Sequence, residues 1–299
     1  MTLDYNKYPP NSIIIFSSTK ILSSEPKQQL AMLETQIYHI DAFTSTPFKG
    51  NPTVICMMST SLNDELYLLI TREMNLSVTA FLEKSNNIYK IRWFTAQKET
   101  PLCGYATLAA AHILFEHLEK EEKRIEFTSL SGSLYAEKTN SGIMMDFPIN
   151  RSSPINPPKE VLKALGVKEP VAVQYNESNK RLLIQLKSEE EVHSLKPNFT
   201  DLLKIPNTLG WRGVLVTAPG RDYDFVSRHF APHMGIDEDP VTGSTHTVLG
   251  PYWSGILGKA KMFAYQDSAR GGEMLVEVVG DRVLLTGNCV TIFKGLLTY

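Results

Sequence analysis

The stretch Ser227-Arg228-His229-Phe230-Ala231-Pro232, followed after a polar loop by Gly243-Ser244-Thr245-His246, has a counterpart earlier in the chain. There Ile91-Arg92-Trp93-Phe94-Thr95-Ala96 precedes Gly104-Tyr105-Ala106-Thr107 by about the same interval. Each copy reads as a strand carrying Arg-x-Phe, a polar loop, and a helix opened by glycine. The alternative is chance likeness of two short segments. A true repeat implies a duplicated α+β unit whose two helix N-termini are related by a pseudo-two-fold axis.

Around each copy the hydrophobic pattern supplies further elements. From Gln36, alternation through Ala42 predicts a strand that ends in the turn-rich Pro47-Phe48-Lys49-Gly50-Asn51-Pro52, and Thr53–Met58 predicts a second strand. Leu62, Leu66, Leu69 and Ile70 fall at helical spacing within 62–74, with Asn63 or Ser61 as the N-cap. Short strands follow at 78–83 and 89–94, then a helix at 106–119 so rich in Ala and Leu that it must be buried on nearly every side. Strands at 125–128, 133–138 and 142–147 complete the first half. The Pro-rich stretch 148–158 reads as a linker. Beyond it come a helix at 159–165, strands near 171–175, 182–186, 213–217 and 225–230, and the second glycine-opened helix, 243–257. The division is an extension (1–34), a first domain (35–148) and a second (149–299) whose last strand is expected to cross back to the first. Residues 1–34, rich in Ser, Lys, Gln and Pro, read as a loosely attached extension, or the natural start lies near Met32.

Composition sets limits on function. The chain has 299 residues, 42% hydrophobic and 21% charged, which suits folded cores and, at roughly 150 residues per domain, about two domains. With 30 Lys plus Arg against 32 Asp plus Glu, the net charge of −2 and the lack of a basic stripe argue against nucleic acid as a partner. No apolar run reaches about 18 residues, so no membrane association is expected. Cys56, Cys103 and Cys289 are far apart, odd in number and without metal-ligand spacing. They suggest a reduced, cytoplasmic protein with no metal. Neither a phosphate loop nor a dinucleotide fingerprint occurs, which sets aside an oxidoreductase.

The two glycine-opened helices carry the functional expectation. The first N–H groups of a helix lack internal partners and hold the positive end of its dipole, and a glycine there admits an anion close to the backbone. Gly104 and Gly243 facing one cleft would grip a small carboxylate, with hydroxyls from Ser77, Ser244 and Thr245 as added donors. Asp239, ahead of Pro240, is either a structural cap or, in a dry cleft, a proton carrier. Cys103 stands where the helix dipole favours thiolate, although its apolar neighbours favour a buried structural role. His246, one turn into the second helix, reads as a hydrogen-bonding residue ahead of a catalyst.

Several motifs together resemble one family: Asp41-Ala-Phe-Thr…Pro47-Phe-Lys-Gly-Asn-Pro52, Arg72-Glu-Met-Asn-Leu-Ser77, Leu102-Cys-Gly-Tyr-Ala-Thr-Leu-Ala109, Glu238-Asp-Pro-Val-Thr-Gly-Ser244 and Arg270-Gly-Gly-Glu273. They are similar to the phenazine-biosynthesis PhzF-like family, nearest to its animal-type members called MAWD-binding or phenazine-biosynthesis-like domain proteins, over residues 36–299. The resemblance implies a diaminopimelate-epimerase-like α+β fold, in which two similar domains each curl a mixed sheet around a central helix. It also implies an active site between the domains, a cofactor-independent isomerase, and a homodimer. In the family's best-understood member a glutamate in Asn-Leu-Ser-Glu-Thr moves the proton, assisted by a histidine in Gly-His and the aspartate of Glu-Asp-Pro-Val-Thr-Gly. Val78, Tyr105 and Asp239 occupy these positions here, so only the aspartate is kept. Valine cannot carry a proton, and Tyr105, with an ordinary pKa of about 10, is a poor base at neutral pH. The related two-cysteine epimerases find a match only in Cys103. Two functions therefore stand side by side: proton transfer on a small anionic metabolite, with Asp239, Tyr105 or Cys103 as carrier, or an impaired member that binds a ligand or a protein partner.

Overall fold

In the computed structural model of the chain, residues 33–299 are described, apart from Asn87 and Pro157; the expected extension, up to residue 32, lies outside them. The first half runs β1 (Glu34–Ala42), β2 (Asn51–Met58), α1 (Asp64–Met74), β3 (Thr79–Ser85), β4 (Ile88–Phe94), β5 (Glu99–Thr100), α2 (Gly104–Ile113), β6 (Arg124–Ser129), β7 (Gly132–Thr139) and β8 (Gly142–Pro148). The second runs β9 (Ser153–Pro154), α3 (Lys159–Leu165), β10 (Ala172–Asn176), β11 (Arg181–Gln185), α4 (Glu189–Ser194), α5 (Phe199–Lys204), β12 (Gly213–Pro219), β13 (Phe225–Ala231), β14 (Ile236–Glu238), α6 (Gly243–Leu257), β15 (Lys261–Gln266), β16 (Gly272–Val279), β17 (Arg282–Gly287) and β18 (Cys289–Thr298).

Strand pairing makes the repeat explicit. In the first half the ladders β1–β2, β2–β3, β3–β4, β4–β6, β6–β7 and β7–β8 are antiparallel, parallel, antiparallel, parallel, antiparallel and antiparallel. The series β10–β11, β11–β12, β12–β13, β13–β15, β15–β16 and β16–β17 follows the same order. Side chains repeat too. Arg92 forks onto Glu99 (2.8 and 2.5 Å) and Arg228 onto Glu238 (2.7 and 2.8 Å), and each guanidinium lies 4.9 Å from the ring of the phenylalanine two residues on. Arg-x-Phe is thus a structural device in both copies: the Arg ties the strand to the short strand that leads toward the helix.

Each half wraps its sheet around a helix of small residues. Ala106, Leu108, Ala109, Ala110, Ala111 and Ile113 of α2 are fully buried, so strands approach it closely. The expected 106–119 helix departs from α geometry, its last turn, Leu114–Leu118, being π-helical. In α6 a Cβ on Gly250 would sit 2.9 Å from Val276, so glycine is what lets β16 lie against the helix. Pro251 cannot donate to the carbonyl of Thr247, and the backbone N–H of Asn150 takes that place at 3.1 Å. The Pro-rich crossing segment is thereby tied to the second helix. β8 pairs with β17, carrying the sheet from one repeat into the other, and β18 returns to pair with β1.

Candidate functional site

The two glycine-opened helices meet end to end. A Cβ placed on Gly104 would lie 3.9 Å from the Cα of Gly243, and one on Gly243 would lie 3.5 Å from the ring of Phe43. Two positive helix ends, each roughly half a unit charge, therefore converge on one spot. That concentration of unsatisfied N–H groups favours a negative group beside it.

Asp239 supplies one such charge and is held from both halves. Its Oδ1 accepts from Nδ2 of Asn51 at 2.9 Å, and the same amide donates to the carbonyl of Val241 at 2.7 Å. Its Oδ2 accepts from the hydroxyl of Thr242, the N-cap residue of α6. Because that hydroxyl has one proton and gives it to Asp239, Nδ1 of His229, 2.9 Å from Thr242 Oγ1, must be the donor there. His229 Nε2 is left as an unprotonated acceptor, buried and without a partner. It lies so near Gly213 that a Cβ there would be 2.4 Å away. Burial, foremost, lowers the His229 pKa and keeps the ring neutral. Gln266 closes the web, donating to the Asp239 carbonyl (2.7 Å) and accepting from the Thr242 N–H (2.9 Å).

Around the α2 end the chemistry is drier. Cys103, the N-cap residue, is buried, and burial pushes its thiol up to about 12, outweighing the helix dipole. Burial thus opposes the thiolate that the helix dipole alone would favour. Tyr105 is buried with its hydroxyl unpartnered. Burial, then the proximity of Cys103 and Asp239, holds its pKa well above the ordinary tyrosine value, which makes it a neutral donor and no base. Val78 is buried just before β3, its carbonyl accepting from the hydroxyl of Thr53 at 2.9 Å.

The hydroxyls expected to assist divide. Ser77 lines an open cleft of about 920 Å³ between the 71–77 and 95–100 segments on one side and 207–212 and 233–236 on the other. Ser244 is half-buried, its carbonyl accepting from Thr247 at 2.7 Å. Thr245 departs from the donor role expected of it: fully buried, it gives its proton to the carbonyl of Thr242 at 2.7 Å. His246 bonds that same carbonyl at 2.8 Å, and burial lowers its pKa to about 4. It is a neutral hydrogen-bonding residue, as its position suggested.

Sequence reasoning missed Asn51, Arg181, His229, Thr242 and Gln266 as site residues. Asn51 stood in a quoted motif but read only as a turn. The buried Arg181, Nε unpartnered, starts β11 opposite Gly213 and close enough to Asp239 to feel its charge. The repeat held one signal: His229 occupies the place of Trp93 in the two Arg-x-Phe strands. Among the described residues no group of three His, Cys, Asp or Glu is disposed to hold a metal, and no helix is long and apolar enough to cross a membrane.

The profile of the phenazine biosynthesis-like proteins (PhzC-PhzF) matches residues 40–295. The chain belongs to this family. It is 45% identical to an uncharacterised isomerase of Pseudomonas aeruginosa over 88% of this chain and 98% of that one. It is 39% identical to phenazine biosynthesis-like domain-containing protein 2 of Mus musculus over 89% of this chain and all of that one. Among solved structures, a PhzF-family protein of Enterococcus faecalis superposes with a TM-score of 0.82 at 38% identity, covering 89% of this chain and 99% of the other. The fold is the α+β fold of that family, and its relatives include proteins named as isomerases.

Proposed function

We propose that this family member is a cofactor-independent isomerase that moves a proton on a small carboxylated metabolite. The observation that carries the reading is the abutment of the α2 and α6 N-termini beside the buried Asp239. A substrate carboxylate bound to the freed N–H groups of 104–105 and 243–244 would be oriented without any cationic side chain. Asp239, acceptor-only while ionised and fixed on both oxygens by Asn51 and Thr242, is the base for a carbon acid next to that carboxylate. Tyr105 supplies a proton-bearing hydroxyl for the oxygen on which charge builds up.

Val78 shapes the mechanism. With no carboxylate at that position, one base must both remove and return the proton, so transfer runs across a single face of the substrate. A second reading, a ligand-binding protein without turnover, is favoured by that same valine and by Tyr105 in place of the family's histidine.

Solvent deuterium incorporation, followed by NMR across a panel of small carboxylated metabolites, separates the two. The isomerase reading expects exchange or isomerisation that Asp239→Asn abolishes, with part of a substrate deuterium label carried into product. Exchange seen only in Val78→Glu, and never in the natural sequence, would leave the binding protein standing.

A further inference from the structure

The open cleft is lined by Arg72, Lys98, Arg212 and His233 and by no aspartate or glutamate, in a chain with 32 acidic residues. The cations converge only through folding: Arg72 lies in the last turn of α1, Lys98 precedes β5, and Arg212 precedes β12 in the other half. Of the described arginines, Arg72, Arg151, Arg181 and Arg212 alone have no carboxylate partner; the others are ion-paired. Two of these four line the cleft. A third, the buried Arg181, lies close enough to Arg212 for the like charge to add to burial in lowering its pKa to about 10. Neighbouring unpaired guanidinium groups repel each other, and an anion relieves the repulsion. Trp211, Leu76 and Ile236 form apolar walls, beside which charges are less screened than in open water. Arg72 is steadied by a 2.8 Å bond from its Nε to the carbonyl of Ala96.

Two of the cleft's lining residues adjoin the inner site along the chain. Ser77 at its edge is followed by the buried Val78, and Arg212 by Gly213, which lies against His229. We infer that the cleft mouth is a second anion-binding site, so that the natural ligand has two anionic groups, one at the helix ends and one, a carboxylate or a phosphate, on Arg72, Lys98 and Arg212. The inference rests on the isomerase reading for the inner group alone and names the class of substrate: a dianionic metabolite.

Binding tests it without turnover. Calorimetric titration compares butyrate, hexanoate and octanoate with the dicarboxylates succinate, adipate and suberate, and adds 3-phosphonopropionate to distinguish phosphate-type from carboxylate recognition. At least one dianion should bind about tenfold or more tightly than every monoanion. The paired change Arg212→Gln with Lys98→Gln, both exposed positions, should remove that gain while leaving the monoanions unchanged. Equal binding of mono- and dianions, or a gain that survives the paired change, overturns the second site and leaves the inner carboxylate site intact. No binding across the whole series would overturn both.

Discussion

The N-terminus of α2 and that of α6 are built on one plan and filled with opposite chemistry. In each, the fourth residue of the Gly-opened segment bonds back to the N-cap carbonyl: Thr107 to Cys103 at 2.7 Å, His246 to Thr242 at 2.8 Å. Around α2 the neighbours are a protonated thiol, a buried phenol and Val78. Around α6 they are a carboxylate, two histidines, an amide and a threonine in one hydrogen-bonded web. Duplication gave the molecule two like helix ends, and divergence left the carboxylate and the histidines beside only one of them.

The sharpest way to break this contrast is to change one proton-bearing group on each side. Asp239→Asn should cost about 10²–10⁴-fold in solvent exchange or isomerisation, the range of a lost general base. Tyr105→Phe should cost less, about 10–10²-fold, the worth of one hydrogen bond to a developing charge. Equal losses would show that the α2 side carries protons too.

Next in size is the response to pH. Burial holds His246 near 4, against about 6.5 in the unfolded chain. Between these values the unfolded state binds the additional proton, so stability rises with pH. The contribution is complete above about pH 6.5 and is lost as pH falls toward 4, amounting to about 3 kcal/mol. Melting temperatures should therefore fall from pH 7 to 4.5. His246→Asn, whose amide can still donate to Thr242, should flatten the curve. An unchanged slope would place the acid sensitivity elsewhere.

The paired forks offer a smaller, more discriminating comparison. Arg92→Gln and Arg228→Gln each break a mostly buried bidentate ion pair and should each cost about 2–3 kcal/mol in denaturant unfolding, between an exposed and a fully buried pair. Only Arg228→Gln should also reduce activity, since Glu238 precedes Asp239. Smallest of all are Gly104→Ala and Gly243→Ala. A Cβ meets only ordinary contacts of 3.5–3.9 Å at either position, so stability should change by less than about 1 kcal/mol while carboxylate affinity falls. A large loss of stability would mean that the glycines serve packing and not a ligand.

Local patterns were the legible part of the sequence. The alanine-rich stretch that became α2, the Arg-x-Phe strands and the capped α1 all announce themselves within a dozen residues, because periodicity and capping are short-range physics. The pattern read few elements after 258, where β15 to β18 lie, since half-buried strands with mixed exposure, such as β18, give weak alternation. It placed Gly104, Gly243 and Asp239 through helix-end chemistry. It could not place Asn51 on Asp239, 188 residues away, or Gln266 beneath Thr242, because an amide's partner is chosen by the fold and leaves no period behind. The π-helical end of α2 was equally silent: Leu114–Leu118 continues the composition of the helix and changes only its hydrogen bonds.

The pairing of β1 with β18 bears on how the chain is made. Glu34 aligns with Thr298, so the first strand cannot complete its ladder until the last has left the ribosome. At about 5–20 residues per second, the intervening residues take roughly 10–50 s to appear. Throughout that interval one side of β1 presents open backbone groups to its surroundings, a template for mispairing between nascent chains. Closure of the β1–β18 seam is thus a late, high-contact-order event.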